Sequence, residues 1–211
     1  MRVSDKTRAA CWPPLQLYAI SDGDLCAIEA ALRGGATMLQ LRAKGLADDA
    51  LLALARSVKR VTDRYGVPLI INDRADVAVE IDAAGAHLGP SDGDLHAARA
   101  LLGPEKILGA TARTVEQALA AEVAGADYLG SGAVFGTNTK ADAAPMPLGL
   151  FKEICAAVRI PVVAIGGIER ANIMQLKGCG MAGFAIASGI FGQEDIERAT
   201  KELWEAAEHV L

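Results

Sequence analysis

The residues best suited to hold a metal ion and an anion together fall in one stretch, 66–92, GVPLIINDRADVAVEIDAAGAHLGPSD. Two short apolar runs, 67–71 and 84–88, break into polar residues. The first runs into Asn72-Asp73 and the second into Gly89-Pro90-Ser91-Asp92. Apolar, β-branched runs separated by an amphipathic stretch predict buried parallel strands joined by a crossover. In parallel α/β folds, the loops at the carboxyl ends of the strands form the active face. Neighbouring strands would open Asp73 and Asp92 onto that face, close enough to share a divalent cation. A hard cation such as Mg2+ takes one or two carboxylates and leaves its other positions to water and substrate phosphate. The alternative is that each acid only caps the helix that follows it.

Further polar residues recur where other apolar runs end: Ser21-Asp22, then Gln40, Arg42 and Lys44, then Thr111, then Thr137, Thr139 and Lys140, then Gly166-Gly167, and finally Ser188-Gly189. Arg42 and Lys44 flank Ala43, so a persisting strand would point both the same way, towards an anion beside the metal. Taken alone they could equally be solvated surface charges. Glycine after the seventh and eighth runs lets backbone N–H groups approach a phosphate, although Gly166-Gly167 could also be only a tight turn. The set contains no histidine, thiol or nucleophile–base pair. It suits anion and metal binding better than acyl transfer. His87 lies inside a strand and reads as a core histidine, His96 and His209 as exposed, Met174 and Met181 as packing.

These residues need a frame to hold them. Strand candidates at 15–20, 36–41, 67–71, 84–88, 106–110, 128–135, 161–165 and 183–187 alternate with helical stretches. The clearest helix carries Leu51, Leu54, Ala55, Val58 and Val61 on one face, opposite Arg56, Lys59 and Arg60. Others are expected over 25–32, 92–102, 115–123, 148–158, 171–177 and within 193–210. Eight β-α units close most naturally into a single (β/α)8 TIM barrel over residues 1–211, with 1–14 irregular; a doubly wound open sheet is the alternative. At 211 residues the chain is short for a barrel of about 250. Its one long loop, 136–147, is a lid candidate.

Composition narrows the function classes. The chain is 52% hydrophobic with 4% aromatic residues and a net charge of −5, so a core of Ala, Val, Ile and Leu is expected and nucleic-acid binding is not. Four cysteines (Cys11, Cys26, Cys155, Cys179) form no C-x-x-C pair or disulfide framework, which suits a reducing cytoplasm. Neither a signal peptide nor a membrane-spanning run is expected.

Over residues 15–191 the chain resembles the thiamine-phosphate synthase family. The resemblance is carried by LYAISD (17–22), GGATMLQLRAK (34–44), IINDRAD (70–76), HLGPSD (87–92), GADYLGSGAVFGTNTK (125–140), AIGGI (164–168) and IASGIF (186–191). The resemblance implies coupling of an aminopyrimidine-methyl pyrophosphate to a thiazole phosphate, releasing pyrophosphate. It implies Asp73 and Asp92 as Mg2+ ligands, Arg42, Lys44, Asn72 and Lys140 as pyrophosphate contacts and Gln40 as the pyrimidine contact. Thr111 stands near the pyrophosphate, and Thr137, Thr139, Gly166, Gly167, Ala187 and Ser188 resemble the thiazole-phosphate site. Three positions depart from the family pattern: Pro90 for a common Gln, Thr111 for Ser and Asn138 for Lys. The implied partners are phosphorylated small molecules, with no nucleic acid and no membrane; a homo-oligomer is left open. Two other functions compete. A TenI-type thiazole tautomerase would carry a histidine where Thr111-Ala112-Arg113 stands and tends to lose the paired acids. A non-catalytic thiamine-phosphate binder would have no reason to keep Asp73, Asp92, Arg42 and Lys140 together.

Overall fold

The computed structural model describes residues 15–136 and 145–211. Eight parallel strands, β1 (Leu17–Ser21), β2 (Met38–Leu41), β3 (Leu69–Asn72), β4 (Gly85–Leu88), β5 (Ile107–Thr111), β6 (Tyr128–Gly132), β7 (Val162–Ile165) and β8 (Gly183–Ile186), pair in sequence order. The sheet closes where β8 pairs with β1, Leu17 opposite Phe184 and Ala19 opposite Ile186. That last pairing rules out the open doubly wound sheet. The fold is a (β/α)8 barrel.

Strand alternation sorts the apolar residues into two cores. Leu17, Ala19, Leu39, Leu41, Leu69, Ile71, Leu108 and Phe184 point outward and pack under the helices. Tyr18, Ile20, Met38, Ile70, Tyr128, Val163 and Ala185 point inward and fill the barrel. Helix Asp48–Tyr65 buries Leu51, Ala55, Val58, Val61 and Thr62, and it stops at Gly66, whose φ of 65° suits a residue without Cβ. Its outer face is laced by Arg56 to Glu80 and Lys59 to Asp63.

Several boundaries differ from the sequence expectation for local reasons. The helix expected from residue 92 starts at Leu95, because Gly93 (φ 126°) precedes a cap in which the Asp94 side chain accepts from the Ala97 N–H. The segment expected to be helical over 171–177 makes only a 3-10 turn, Ile173–Leu176, followed closely by left-handed Gly178 and Gly180. The final helix is Ile196–Val210, capped by Asp195, and a four-residue helix, Ser188–Phe191, precedes it. β6 ends at Gly132, short of Phe135. Met174 is exposed rather than packed, whereas Met181 is buried as expected.

Candidate active site

The carboxyl ends of the strands surround a cleft open to solvent and lined in part by Gln40, Arg42, Lys44, Asn72, Asp73, Asp92 and Thr111. Seven residues named from the sequence thus meet in one wall. Gln40 and Asn72 arrive by strand alternation, on the inward positions of β2 and β3. Arg42 follows β2, its N–H donating to the Ser21 carbonyl at 2.8 Å, so the chain stays close to the barrel for one more residue.

Neither acid caps a helix. Helix Ala75–Glu80 begins after Arg74 with no side-chain cap, and Leu95–Leu102 is capped by Asp94. Asp73 is instead fixed by its backbone: its N–H donates to the His87 carbonyl at 2.8 Å, and its φ is 65°. A non-glycine residue held left-handed costs on the order of 1 kcal/mol, a cost tolerated most often where function sets the geometry. Asp92 folds back over its own turn, accepting from the Gly89 N–H at 2.8 Å and lying 3.4 Å from the Ser91 hydroxyl. A Cβ on Gly89 would fall 2.5 Å from that carboxylate and would displace it.

The two carboxyl groups lie close enough to shift each other's proton affinity. Burial, then the Asp92 carboxylate beside it, pushes the Asp73 carboxyl up. Burial also raises Asp92, but the bond with Asp73, the Gly89 N–H and the Lys44 charge outweigh it and hold Asp92 down. Two close carboxylates with opposed shifts tend to share a proton. A cation shared between them would relieve the same repulsion. Lys44 Nζ lies 3.6 Å from Asp73 Oδ2, with its side chain 57% exposed, and is a loose partner only. Among the described residues no three His, Cys, Asp or Glu gather as a ready metal cage. A carboxylate pair is the donor set that fits Mg2+ completed by water and phosphate.

The remaining named residues stand elsewhere. Gly166 and Gly167 end β7, Ala187 and Ser188 end β8, and these adjacent loops lie on the rim, outside the cleft wall. Both glycines are left-handed, φ 98° and 66°, and both touch the segment after β6: a Cβ would meet Ala133 Cβ at 2.4 Å and the Gly136 carbonyl oxygen at 2.2 Å. Their lack of Cβ thus serves close packing. Thr137, Asn138, Thr139 and Lys140, with most of the expected lid, lie outside the described residues. Of the other departures, Pro90 is exposed and outside the cleft wall, whereas Thr111 lies in it. Ser21 turns its hydroxyl to the Gly23 N–H and does not reach the cleft.

Sequence reasoning passed over Tyr18, Ile20, His87, Gly89, Gly130, Val163, Ile165 and Ala185, all of which line the cleft. Apart from Gly89, which follows β4, their common signal is inward position on a strand, which alternation shows once the inward set is known. His87 is buried, as expected, yet it also reaches the cleft floor.

A closed (β/α)8 barrel with an acid pair, cations and amides at the carboxyl ends of its strands belongs to the class of barrels built to handle phosphorylated small molecules. Comparison places it more narrowly. The thiamine monophosphate synthase family matches residues 17–190, and the chain belongs to that family. It is 49% identical to thiamine-phosphate synthase 2 of Streptococcus pneumoniae, covering 93% of this chain and 97% of that protein. It is 43% identical to a thiamine-phosphate synthase of Clostridium tetani, covering 89% and 93%. A solved thiamine phosphate pyrophosphorylase from Pyrococcus furiosus superposes with a TM-score of 0.88 at 38% identity, covering 94% of this chain and 98% of that one.

Proposed function

We infer that the chain is a thiamine-phosphate synthase, an enzyme that joins 4-amino-5-hydroxymethyl-2-methylpyrimidine pyrophosphate to hydroxyethylthiazole phosphate and releases pyrophosphate. The observation that carries this reading is the one cleft wall in which Gln40, Arg42, Lys44, Asn72, Thr111 and the mutually interacting acids Asp73 and Asp92 meet. Its other lining residues include Ile20, Val163, Ile165 and Ala185, an apolar surface suited to a flat heterocycle.

In this reading Asp73 and Asp92 hold Mg2+, which when bound would neutralise charge on the pyrophosphate. Arg42 and Lys44 carry the remaining positive charge to the same place, with Asn72 donating beside them. Gln40 meets the pyrimidine. Lys140, Thr137 and Thr139 would complete the anion contacts, and Gly166, Gly167, Ala187 and Ser188 would take the thiazole phosphate on the rim. Because the aminopyrimidine can stabilise a cation at its methylene, pyrophosphate can depart before the thiazole nitrogen attacks. The protein then needs to position and neutralise and needs no nucleophile, in keeping with the cleft's inventory. A tautomerase or a simple binder would leave the acid pair without a task.

The same reading treats residues 1–211 as one barrel domain acting on small phosphorylated substrates in the cytoplasm, as a monomer or a homo-oligomer. Among the described residues Cys26, Cys155 and Cys179 are free, and no helix is long and apolar enough to cross a membrane. The test is product formation from the two purified substrates, with Mg2+ and then with a chelator. Metal-dependent thiamine phosphate with stoichiometric pyrophosphate supports the reading; absence of product with thiazole phosphate still bound refutes it.

A further inference from the structure

Beneath the charged mouth lies a polar system that the metal and anion contacts leave unexplained. Five side chains on five strands are linked end to end. Gln40 Nε2 is 2.7 Å from the Tyr18 hydroxyl, and that hydroxyl is 2.9 Å from the Tyr128 hydroxyl. The Tyr128 hydroxyl is 2.9 Å from His87 Nδ1, and His87 Nε2 is 2.9 Å from Thr111 Oγ1. The chain of bonds crosses the barrel interior from β2 through β1, β6 and β4 to β5. Both of its ends, Gln40 and Thr111, line the cleft, while Tyr128 in the middle is fully buried.

The backbone makes room for it. A Cβ on Gly109 would lie 2.3 Å from the Tyr128 hydroxyl and 2.5 Å from His87 Nδ1, in the space their bond occupies. The two tyrosine rings meet edge to face at 5.8 Å. A run of polar groups through a barrel core is costly unless every member is satisfied, and here no buried side-chain nitrogen or oxygen lacks a partner among the described residues.

The chain has direction. Each hydroxyl owns one hydrogen, a neutral imidazole owns one N–H, and a primary amide donates from nitrogen and accepts at oxygen. Two polarities therefore run through all four bonds in a single direction. With the Gln40 nitrogen turned to Tyr18, as found, Tyr18 donates to Tyr128 and Tyr128 to His87 Nδ1. His87 then carries its proton on Nε2 and donates to Thr111, whose own hydrogen is left to donate elsewhere. With the amide reversed, every bond reverses: His87 carries its proton on Nδ1 and Thr111 donates inward. Interconversion needs only the amide flip, rotation of the hydroxyls and exchange of one imidazole proton between its nitrogens.

We propose that Gln40, Tyr18, Tyr128, His87 and Thr111 form a hydrogen-bond relay that couples the two ends of the cleft. Whichever face of its amide Gln40 presents to a bound heterocycle fixes whether Thr111 presents a donor or an acceptor at the anion end. An aminopyrimidine donating to the Gln40 oxygen locks the polarity in which Thr111 donates to an anion. Tyr18, Tyr128 and His87 are positioning residues, acting through the two ends. The identity of the ligands at those ends rests on the synthase reading; the relay itself does not.

The test is the tautomer of His87, read from its side-chain 15N resonances in the ligand-free protein at alkaline pH, where an introduced carboxyl is ionised. The native protein should show the Nε2–H form. Gln40→Glu, which can only accept, should convert His87 to the Nδ1–H form across three intervening hydrogen bonds. On a Tyr18→Phe background the same substitution should change nothing, because the chain is cut. A folded Gln40→Glu protein with an unchanged tautomer, or a switch that persists in Tyr18→Phe, overturns the proposal. Should Gln40→Glu not fold, Thr111→Val reads the relay from its other end: it should shift the Gln40 side-chain amide resonances, and unshifted resonances overturn it. A preparation that makes no thiamine phosphate but shows the switch keeps the relay and loses the synthase reading; an active enzyme without the switch does the reverse.

Discussion

The two ends of the barrel treat charge in opposite ways. At the amino ends of β5 and β6, Arg99 is saturated: it donates to the carbonyls of Gly103 and Lys106, twice to that of Gly125, and to the Asp127 carboxylate. Asp127 also accepts from the Leu108 N–H at 2.8 Å. Lys106 nearby reaches both Asp82 and the Ala83 carbonyl. At the carboxyl ends, two acids face each other and the only cation the described structure pairs with either sits 3.6 Å from Asp73. The lower end spends its charges on itself. The upper end keeps them available, and that is the physical mark of a site.

The largest effect that could break this contrast lies at the lower end. Arg99→Ala strands a buried Asp127, whose side chain is 4% exposed, and should cost about 3–5 kcal/mol of stability in chemical denaturation. Activity of the protein that remains folded should stay near native, since Arg99 does not line the cleft. A stable Arg99→Ala protein would remove the structural half of the comparison.

Asp92→Ala should behave in the opposite sense. Turnover should fall by about 10²–10³, the loss of one strong charge contact in a transition state, with the melting temperature little changed. An unchanged rate in Mg2+ would refute the metal assignment.

Between the two ends, the tyrosine pair predicts an alkaline limit. Burial, the largest influence, pushes both the Tyr18 and the Tyr128 hydroxyls up from the ordinary 10.0. Folded protein therefore keeps protons that the unfolded chain releases. Stability from this source is complete below pH 10 and falls as pH rises above it, by about 1.4 kcal/mol per pH unit per tyrosine. Denaturation against pH should show a shallower fall in Tyr128→Phe than in the native chain; equal slopes would contradict it.

The smallest expected effect is on the rim. Ser188→Ala should weaken thiazole-phosphate binding about 2–10-fold, one hydrogen bond's worth, and leave pyrimidine-pyrophosphate binding alone. Calorimetry with each ligand separates the two, and equal losses would argue against placing thiazole phosphate there.

How much of this the sequence discloses follows from how each signal is written. The barrel is legible because the apolar runs are short and regularly spaced, and the cleft's charged wall because Arg42, Lys44, Asp73 and Asp92 stand where those runs stop. The relay is not legible. Tyr18 and Tyr128 sit inside apolar strands where an aromatic reads as packing, and His87 looks like a core residue until its two nitrogens are seen to bridge β6 and β5. Gly109 gives no sign that a hydrogen bond needs its missing Cβ. Helix starts slip for a similar reason: Asp92 offers itself as a cap, whereas Gly93 turns the chain and the Asp94 side chain takes the role.

We propose that the facing acids hold a cation against the pyrophosphate, and the direct measurement is a Mg2+ titration of thiamine phosphate formation by the native chain and by Asp73→Asn. Asparagine keeps the size and tolerates the left-handed backbone while removing one charge. The account predicts that the Mg2+ concentration for half-maximal rate rises at least about tenfold in the variant. Superimposable titrations would show that Asp73 holds no metal and that the pair at the mouth has some other purpose.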